Sequence, residues 1–307
     1  MATLAFVFPG QGAQQVGMGK DLYENFESAR MVFQQADAAA GYDLGRLCFE
    51  GPLDKLNQTE FAQPALLASS VAAGEVLKEQ GIEAVIMAGL SLGEYSALVC
   101  AQALSLQEAI PLVQRRARLM QAAVPAGEGA MAAVLGLDDQ AVQTACAADQ
   151  GIVAIANYNC PGQYVISGGS EAVQRVSVRL KESGGRVMPL AVSVPSHSEL
   201  MKPAAEELRP YLEAIDWIEP MVPVVSNVNA TANPASRFVD LLVRQLYSPV
   251  RWEQSVRYMM NLADYFVEVG PGSTLSGLIK KIDKNRLLGQ VNDVKSLEKV
   301  IEKVKTI

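Results

Sequence analysis

The stretch Ala88-Gly-Leu-Ser-Leu-Gly-Glu-Tyr95 follows the apolar run Ala84-Val-Ile-Met87 and leads into a helix-like segment. Strand, sharp turn and helix in that order put Ser91 on a nucleophile elbow. The spacing has a steric logic: a strained turn leaves little room around the nucleophile, and Gly89 and Gly93 let the strand and helix backbones come close. By itself Gly-x-Ser-x-Gly also occurs where an ordinary helix opens on a serine. The strand before it and the helix after it favour the elbow.

A serine hydroxyl is a poor nucleophile until a neighbouring base takes its proton, and near neutral pH the usual base is an imidazole with a pKa of about 6.5. The chain contains one histidine, His197. If Ser91 is activated in this way, His197 is its partner. In Val192-Ser-Val-Pro-Ser-His-Ser198 a strand-like run ends at a proline and the histidine follows on the loop, where catalytic groups tend to sit. A lone histidine is more often structural. The expectation is a base at the surface of a cleft, so that activity falls on the acid side as it protonates.

Working outward, 307 residues of which 50% are hydrophobic can bury a large core, as one big domain or a domain with an insert. The N-terminal Met-Ala-Thr-Leu-Ala-Phe-Val-Phe lacks a basic stretch and stops at Pro9-Gly10, so it reads as a buried first strand and not a signal peptide. No apolar run reaches membrane-spanning length. Cys48, Cys100, Cys146 and Cys160 are scattered, and with one histidine no zinc site is expected. They read as reduced thiols of a cytoplasmic protein. A net charge of −7 argues against a general nucleic-acid binder.

Apolar strand-like runs alternate with amphipathic segments, the pattern of an α/β protein with a largely parallel sheet. The first strand is 4–8. Helical periodicity runs through Met18, Leu22, Phe26, Ala29 and Phe33, then over 65–80, with Gly81 suited to a left-handed C-cap. Ser105-Leu-Gln-Glu108 is a capping box opening a helix to about 124, which Pro111 should kink or delay. Asn233-Pro234 reads as an N-cap followed by proline at N1. The middle of the chain reads as strand 131–135, a helix begun by Asp138, strand 152–156, turn 159–162, strand 164–167, helix 171–181 and strand 186–192. That β-α-β-β-α-β order is ferredoxin-like and can stand as an inserted subdomain. Residues 128–193 are assigned to it, with Pro125-Ala-Gly-Glu-Gly129 as its hinge, and 1–127 with 194–307 to the large subdomain. A cleft between the two would hold both Ser91 and His197.

With these residues in view, the chain resembles the malonyl-CoA:acyl carrier protein transacylase family. The matching motifs, in order, are Phe8-Pro-Gly-Gln-Gly-Ala-Gln14, Gln63-Pro-Ala-Leu66, the elbow, Gln114-Arg-Arg-Ala-Arg-Leu-Met120, Asn159-Cys-Pro-Gly-Gln-Tyr-Val-Ile-Ser-Gly168, Pro195-Ser-His-Ser198, Gln245-Leu-Tyr-Ser-Pro-Val250 and Glu268-Val-Gly-Pro-Gly272. They span nearly the whole chain. The fold the resemblance implies is an α/β-hydrolase-like large subdomain carrying the ferredoxin-like insert.

The implied reaction moves a malonyl group from malonyl-CoA to the phosphopantetheine thiol of acyl carrier protein through an acyl-serine, with no bound cofactor. Carried over by position, Ser91 is the nucleophile, His197 the base, and the backbone amides of Gln11 and Leu92 the oxyanion hole. Arg116 aligns with the arginine that holds the malonate carboxylate, a pairing suited to a planar guanidinium. Spacing alone does not choose it over Arg115 and Arg118. No acidic motif offers a third triad member, and the family orients its histidine by the backbone carbonyl at Gln245. Gln63, Asn159 and Gln163 are expected to line the substrate, although a turn cap also explains Asn159. Carrier-protein docking is expected to lean on Arg186, Lys280 and Lys281. The two-subdomain plan requires no second copy, so a monomer is expected.

Three positions depart from the family pattern. Leu90 stands where histidine is usual, Ala117 where glycine is usual, and Gly185-Arg186 keeps one of two basic residues. Two other readings share parts of this sequence. A serine acyl hydrolase would use the same elbow and histidine without a carboxylate-binding arginine, and an inactive docking module has only Leu90 in its favour.

Overall fold

The computed structural model describes residues 2–190 and 194–307. Its strands are β1 (Leu4–Phe8), β2 (Ile86–Gly89), β3 (Gly129–Leu135), β4 (Val153–Cys160), β5 (Gln163–Gly169), β6 (Arg186–Pro189), β7 (Val224–Val225), β8 (Tyr265–Val269) and β9 (Leu287–Val291). They form two sheets. One is five-stranded in the order β7-β2-β1-β8-β9, with every neighbouring pair parallel.

A central parallel strand is covered on both faces, and β1 shows why its sequence is apolar throughout. Leu4, Phe6 and Phe8 join the core built on the long helix Thr59–Glu79, while Ala5 and Val7 face Trp252, Val256, Met259 and Ile279 on the other side. The second sheet is antiparallel in the order β4-β5-β3-β6. Helices Asp139–Ala147 and Ser170–Glu182 pack Val142, Cys146, Val173, Val176 and Leu180 on one of its faces. From β3 to β6 the order is strand, helix, strand, strand, helix, strand, as the periodicity predicts. Strand β4 is tied by backbone to the segment before the helix Trp252–Met259: Val250 N–H donates to Ala156 O (2.8 Å) and Tyr158 N–H to Val250 O (2.9 Å).

Several boundaries differ from the sequence expectation. The periodic segment 18–33 is two helices, Lys20–Asn25 and Glu27–Ala40, separated by an extended Phe26 that packs against the core. β4 absorbs Asn159 and Cys160, which leaves only Pro161-Gly162 as the turn and Gly162 at φ 70°. The helix Leu106–Ala122 begins where Ser105 caps it, the serine Oγ accepting Glu108 N–H at 3.2 Å, and it runs through Pro111 without delay. Pro234 is not an N1 residue. Asn233 spends its side chain on Thr231 O and Asn229, Glu219 caps Ala235 N–H instead, and the α-helix starts only at Phe238. Gly81 does follow the long helix in a left-handed conformation, φ 71°. The end of the expected strand 186–192 lies partly outside the described residues.

Candidate active site

Ser91 sits between the end of β2 and the helix Leu92–Cys100 at φ 54°, ψ −106°. For a residue with a side chain that conformation costs on the order of 1 to 3 kcal/mol, and the surroundings must hold it. The glycines around it have no room for a side chain: a Cβ on Gly89 would lie 1.8 Å from Gly93 C, and one on Gly93 would lie 2.1 Å from Phe8 O. Asn227 clamps the turn from outside. Its Oδ1 accepts Ser91 N–H (2.6 Å) and its Nδ2 donates to Gly89 O (2.7 Å).

His197 Nε2 lies 2.9 Å from Ser91 Oγ, and Nδ1 lies 2.8 Å from Gln245 O. A backbone carbonyl only accepts, so Nδ1 carries the proton and the Nε2 lone pair faces the serine hydroxyl. The ring is 4% exposed and not at the cleft surface as expected from sequence. Burial first, and then the Arg116 charge, lower its pKa from 6.5 to about 4. The imidazole is therefore neutral at ordinary pH.

Arg116 is buried, with 1% of its surface accessible. Nη1 donates to Gln63 Oε1 (2.8 Å), and Nη2 donates to Gln245 Oε1 (3.1 Å) and Ser91 Oγ (3.2 Å). Its Cζ stands 5.5 Å from the Tyr95 ring centroid. Among the described residues no carboxylate pairs with it, and its buried Nε has no hydrogen-bond partner. The neighbouring arginines of the same helix point elsewhere: Arg115 lies over Tyr211, and Arg118 pairs with Glu60 at 2.6 Å.

Gln11 lies on the turn after β1, with its side chain donating to Thr59 Oγ1 (3.1 Å). A Cβ on Gly10 would come within 2.4 Å of Leu90 O, so this turn abuts the residue before Ser91. Leu92 opens the elbow helix. Among the described residues neither the Gln11 nor the Leu92 backbone amide has a partner, as expected of free donors at a helix start and a tight turn. Leu90 itself packs against the core that holds Ala88 and Val250, and Ala117 is fully buried.

The other expected residues are not hydrogen-bonded into this set. Asn159 is buried on β4 with its Oδ1 unpartnered among the described residues. Gln163 accepts from Lys281 Nζ at 2.8 Å. Gln163 and Arg186 both stand opposite Leu135, so Lys281 and Arg186 mark one end of the antiparallel sheet, with Lys280 exposed beside them.

Two residues that sequence reasoning passed over complete the site. Glu94 is buried, and its Oε2 accepts Gln245 Nε2–H (2.7 Å) and Asn227 N–H (3.0 Å). Burial raises its pKa from 4.5 to about 7, opposed by these hydrogen bonds. Asn227 is the second. An acid three residues after Ser91 and Ser226-Asn227 just after a short apolar run were the signals available.

A serine hydroxyl beside a neutral imidazole, unpaired backbone amides and a carboxylate-free guanidinium suit nucleophilic transfer of an anionic acyl group. A family model described as the acyl transferase domain matches residues 5–302. The malonyl CoA-acyl carrier protein transacylase of Bacillus subtilis is 47% identical, over 99% of this chain and 98% of its own length. A crystal structure of an acyl carrier protein S-malonyltransferase from Vibrio cholerae superposes with a TM-score of 0.94 at 48% identity, covering 97% of this chain and 100% of that one. A malonyl-transacylase solved with its type II PKS acyl-carrier protein gives 0.95 at 46% identity, covering 98% and 99%.

Proposed function

The chain belongs to the acyl transferase domain family, and from that premise we propose that it transfers a malonyl group from malonyl-CoA to the phosphopantetheine thiol of an acyl carrier protein. The observation that carries the reading is Arg116, a buried guanidinium held by two amide oxygens with no acidic partner among the described residues. A buried charge is costly unless it is paired, and a malonyl carboxylate supplies the missing anion. A hydrolase of neutral acyl groups has no use for it.

In the first half-reaction Ser91 Oγ attacks the thioester carbonyl while His197 Nε2 takes its proton. The tetrahedral oxyanion is assigned to the backbone amides of Gln11 and Leu92, where one lost donor of this kind typically costs a factor of about 10² to 10³. CoA leaves as its sulfur is protonated from His197. In the second half-reaction the phosphopantetheine thiol loses its proton to His197 and attacks the malonyl-serine, and the serine recovers its hydrogen. Gln245 O holds the imidazole orientation throughout. Gln63, Asn159 and Gln163 are assigned to the substrate channel, and Arg186, Lys280 and Lys281 to carrier docking.

We assign residues 1–127 and 194–307 to an α/β-hydrolase-like large subdomain and 128–193 to a ferredoxin-like insert, with the reaction at their junction. The test is intact-protein mass spectrometry after mixing with malonyl-CoA. A malonyl adduct on the wild type that is absent from Ser91→Ala, and that passes to added holo carrier protein, is the expected result. An adduct on Ser91→Ala would remove Ser91 from the mechanism.

A further inference from the structure

Glu94 is a buried carboxyl group that the reaction above does not use. One of its oxygens, Oε2, receives both Asn227 N–H and Gln245 Nε2–H. Each donor belongs to a residue that reaches the reacting groups. Asn227 holds the elbow backbone at Ser91 N–H and Gly89 O. Gln245 donates to Ser91 O (3.1 Å), accepts Arg116 Nη2–H through Oε1, and accepts His197 Nδ1–H through its backbone carbonyl. We propose that Glu94 is a positioning residue whose Oε2 ties the nucleophile turn to the acyl-selecting arginine, so that Ser91 and Arg116 keep one fixed separation.

The geometry explains why a glutamine stands between an acid and an arginine that would otherwise pair. With its NH₂ engaged by Glu94 Oε2 and Ser91 O, the Gln245 amide must present its oxygen to Arg116. Arg116 is thereby held by a neutral acceptor and its charge stays available for a carboxylate. A direct Glu94–Arg116 ion pair would compete with an anionic substrate. Because both donors meet one oxygen, Glu94 acts as an acceptor there whether or not its other oxygen carries a proton. Its charge is not required, and a glutamine in its place can present the same acceptor.

The inference rests on reading Arg116 as the carboxylate partner, and the experiment separates the two. Acylation by malonyl-CoA and by acetyl-CoA is followed by intact mass for the wild type, Glu94→Ala, Glu94→Gln and Gln245→Met, per folded molecule as judged by cooperative melting. Glu94→Ala should slow acylation by both donors and cut the malonyl-to-acetyl ratio at least about fivefold. Glu94→Gln should keep the ratio within about twofold of the wild type. Gln245→Met, which cuts the arm to Arg116 and leaves the backbone carbonyl for His197, should lower the ratio without Glu94 being touched. If Glu94→Ala does not fold, the other two variants decide. A wild-type ratio in Glu94→Ala or in Gln245→Met, or a ratio in Glu94→Gln as low as in Glu94→Ala, overturns the proposal. If the wild type accepts no malonyl group, the functional reading fails and the tie is judged on the NMR signals of the Asn227 backbone amide and the Gln245 side-chain amide, the two donors to Glu94 Oε2. Those should be protected from exchange in the wild type and Glu94→Gln, and unprotected protons in the wild type would overturn it.

Discussion

Arg116, Arg115 and Arg118 share one helix but not one environment, and the difference is testable. Charge-assisted hydrogen bonds contribute roughly 1.5 to 3 kcal/mol each, so a carboxylate on Arg116 favours malonyl over acetyl by at least about tenfold per bond. Arg116→Ala should lose malonyl acylation steeply and keep or gain acetyl acylation, since the substitution also removes a buried charge left unpaired beside a neutral acyl group. Arg115→Ala and Arg118→Ala lose only a contact over Tyr211 and an exposed ion pair, and their malonyl-to-acetyl ratios should stay close to the wild type. Selectivity lost at either of these two would move the carboxylate site. His197 makes a second claim at this scale. In the proposed reaction its neutral form is the base, and its pKa is lowered to about 4, so the acylation rate should rise with pH through about 4 and be level with respect to this group above it. Acetyl-CoA is the donor to use, so that no substrate carboxyl titrates. An acid limb near 6.5 would mean that the imidazole is not buried during the reaction.

At the scale of elements, the elbow is a crossing of three backbones. Gly93 lies against Phe8 O and Pro9 O, and Gly89 lies against Gly93. Gly93→Ala would put a methyl group 2.1 Å from a backbone oxygen, so β1 or the elbow helix must move. Overpacking of this kind costs about 1 to 3 kcal/mol, and the displaced parts include the Ser91 turn and the stretch leading to Gln11. The expected outcome is a lower denaturation midpoint together with an acylation rate reduced at least about tenfold. Wild-type kinetics in a stable variant would show that the crossing has slack.

At the scale of the whole molecule, two buried titrating groups oppose each other. His197 binds its proton at about pH 4 in the folded protein, against the ordinary 6.5 of an exposed imidazole. Between those values the unfolded chain holds more protons, so this group's contribution to stability falls as pH drops from 6.5 to 4. Glu94 runs the other way, with a folded value of about 7 against 4.5. The folded state holds the extra proton, and its contribution falls as pH rises from 4.5 to 7. Each slope is at most about 1.4 kcal/mol per pH unit, and they offset each other over the shared window. Glu94→Gln should leave the histidine uncovered, so that stability rises from pH 4.5 to 6.5 more steeply than in the wild type. Denaturant midpoints across that range check it, and superimposable profiles would assign the balance to other groups.

The elbow, the single histidine and the β-α-β-β-α-β order are written in local pattern. Glycine spacing, a capping serine and period-two strands act within a few residues, and the described structure contains them. Composition alone left three arginines equivalent on one helix, and the resemblance selected Arg116. Packing against Gln63, Tyr95 and Gln245 is what buries it. Glu94 and Asn227 were invisible for the same reason: they lie 133 positions apart and meet through one carboxylate oxygen. The depth of His197, and with it the pH at which it titrates, was also set by long-range packing, since a loop histidine has no local signal for how completely other segments cover it. Local chemistry determined which elements form. Which polar groups lose their water, and therefore which charges shift or wait for a substrate, was decided only when distant elements closed over them.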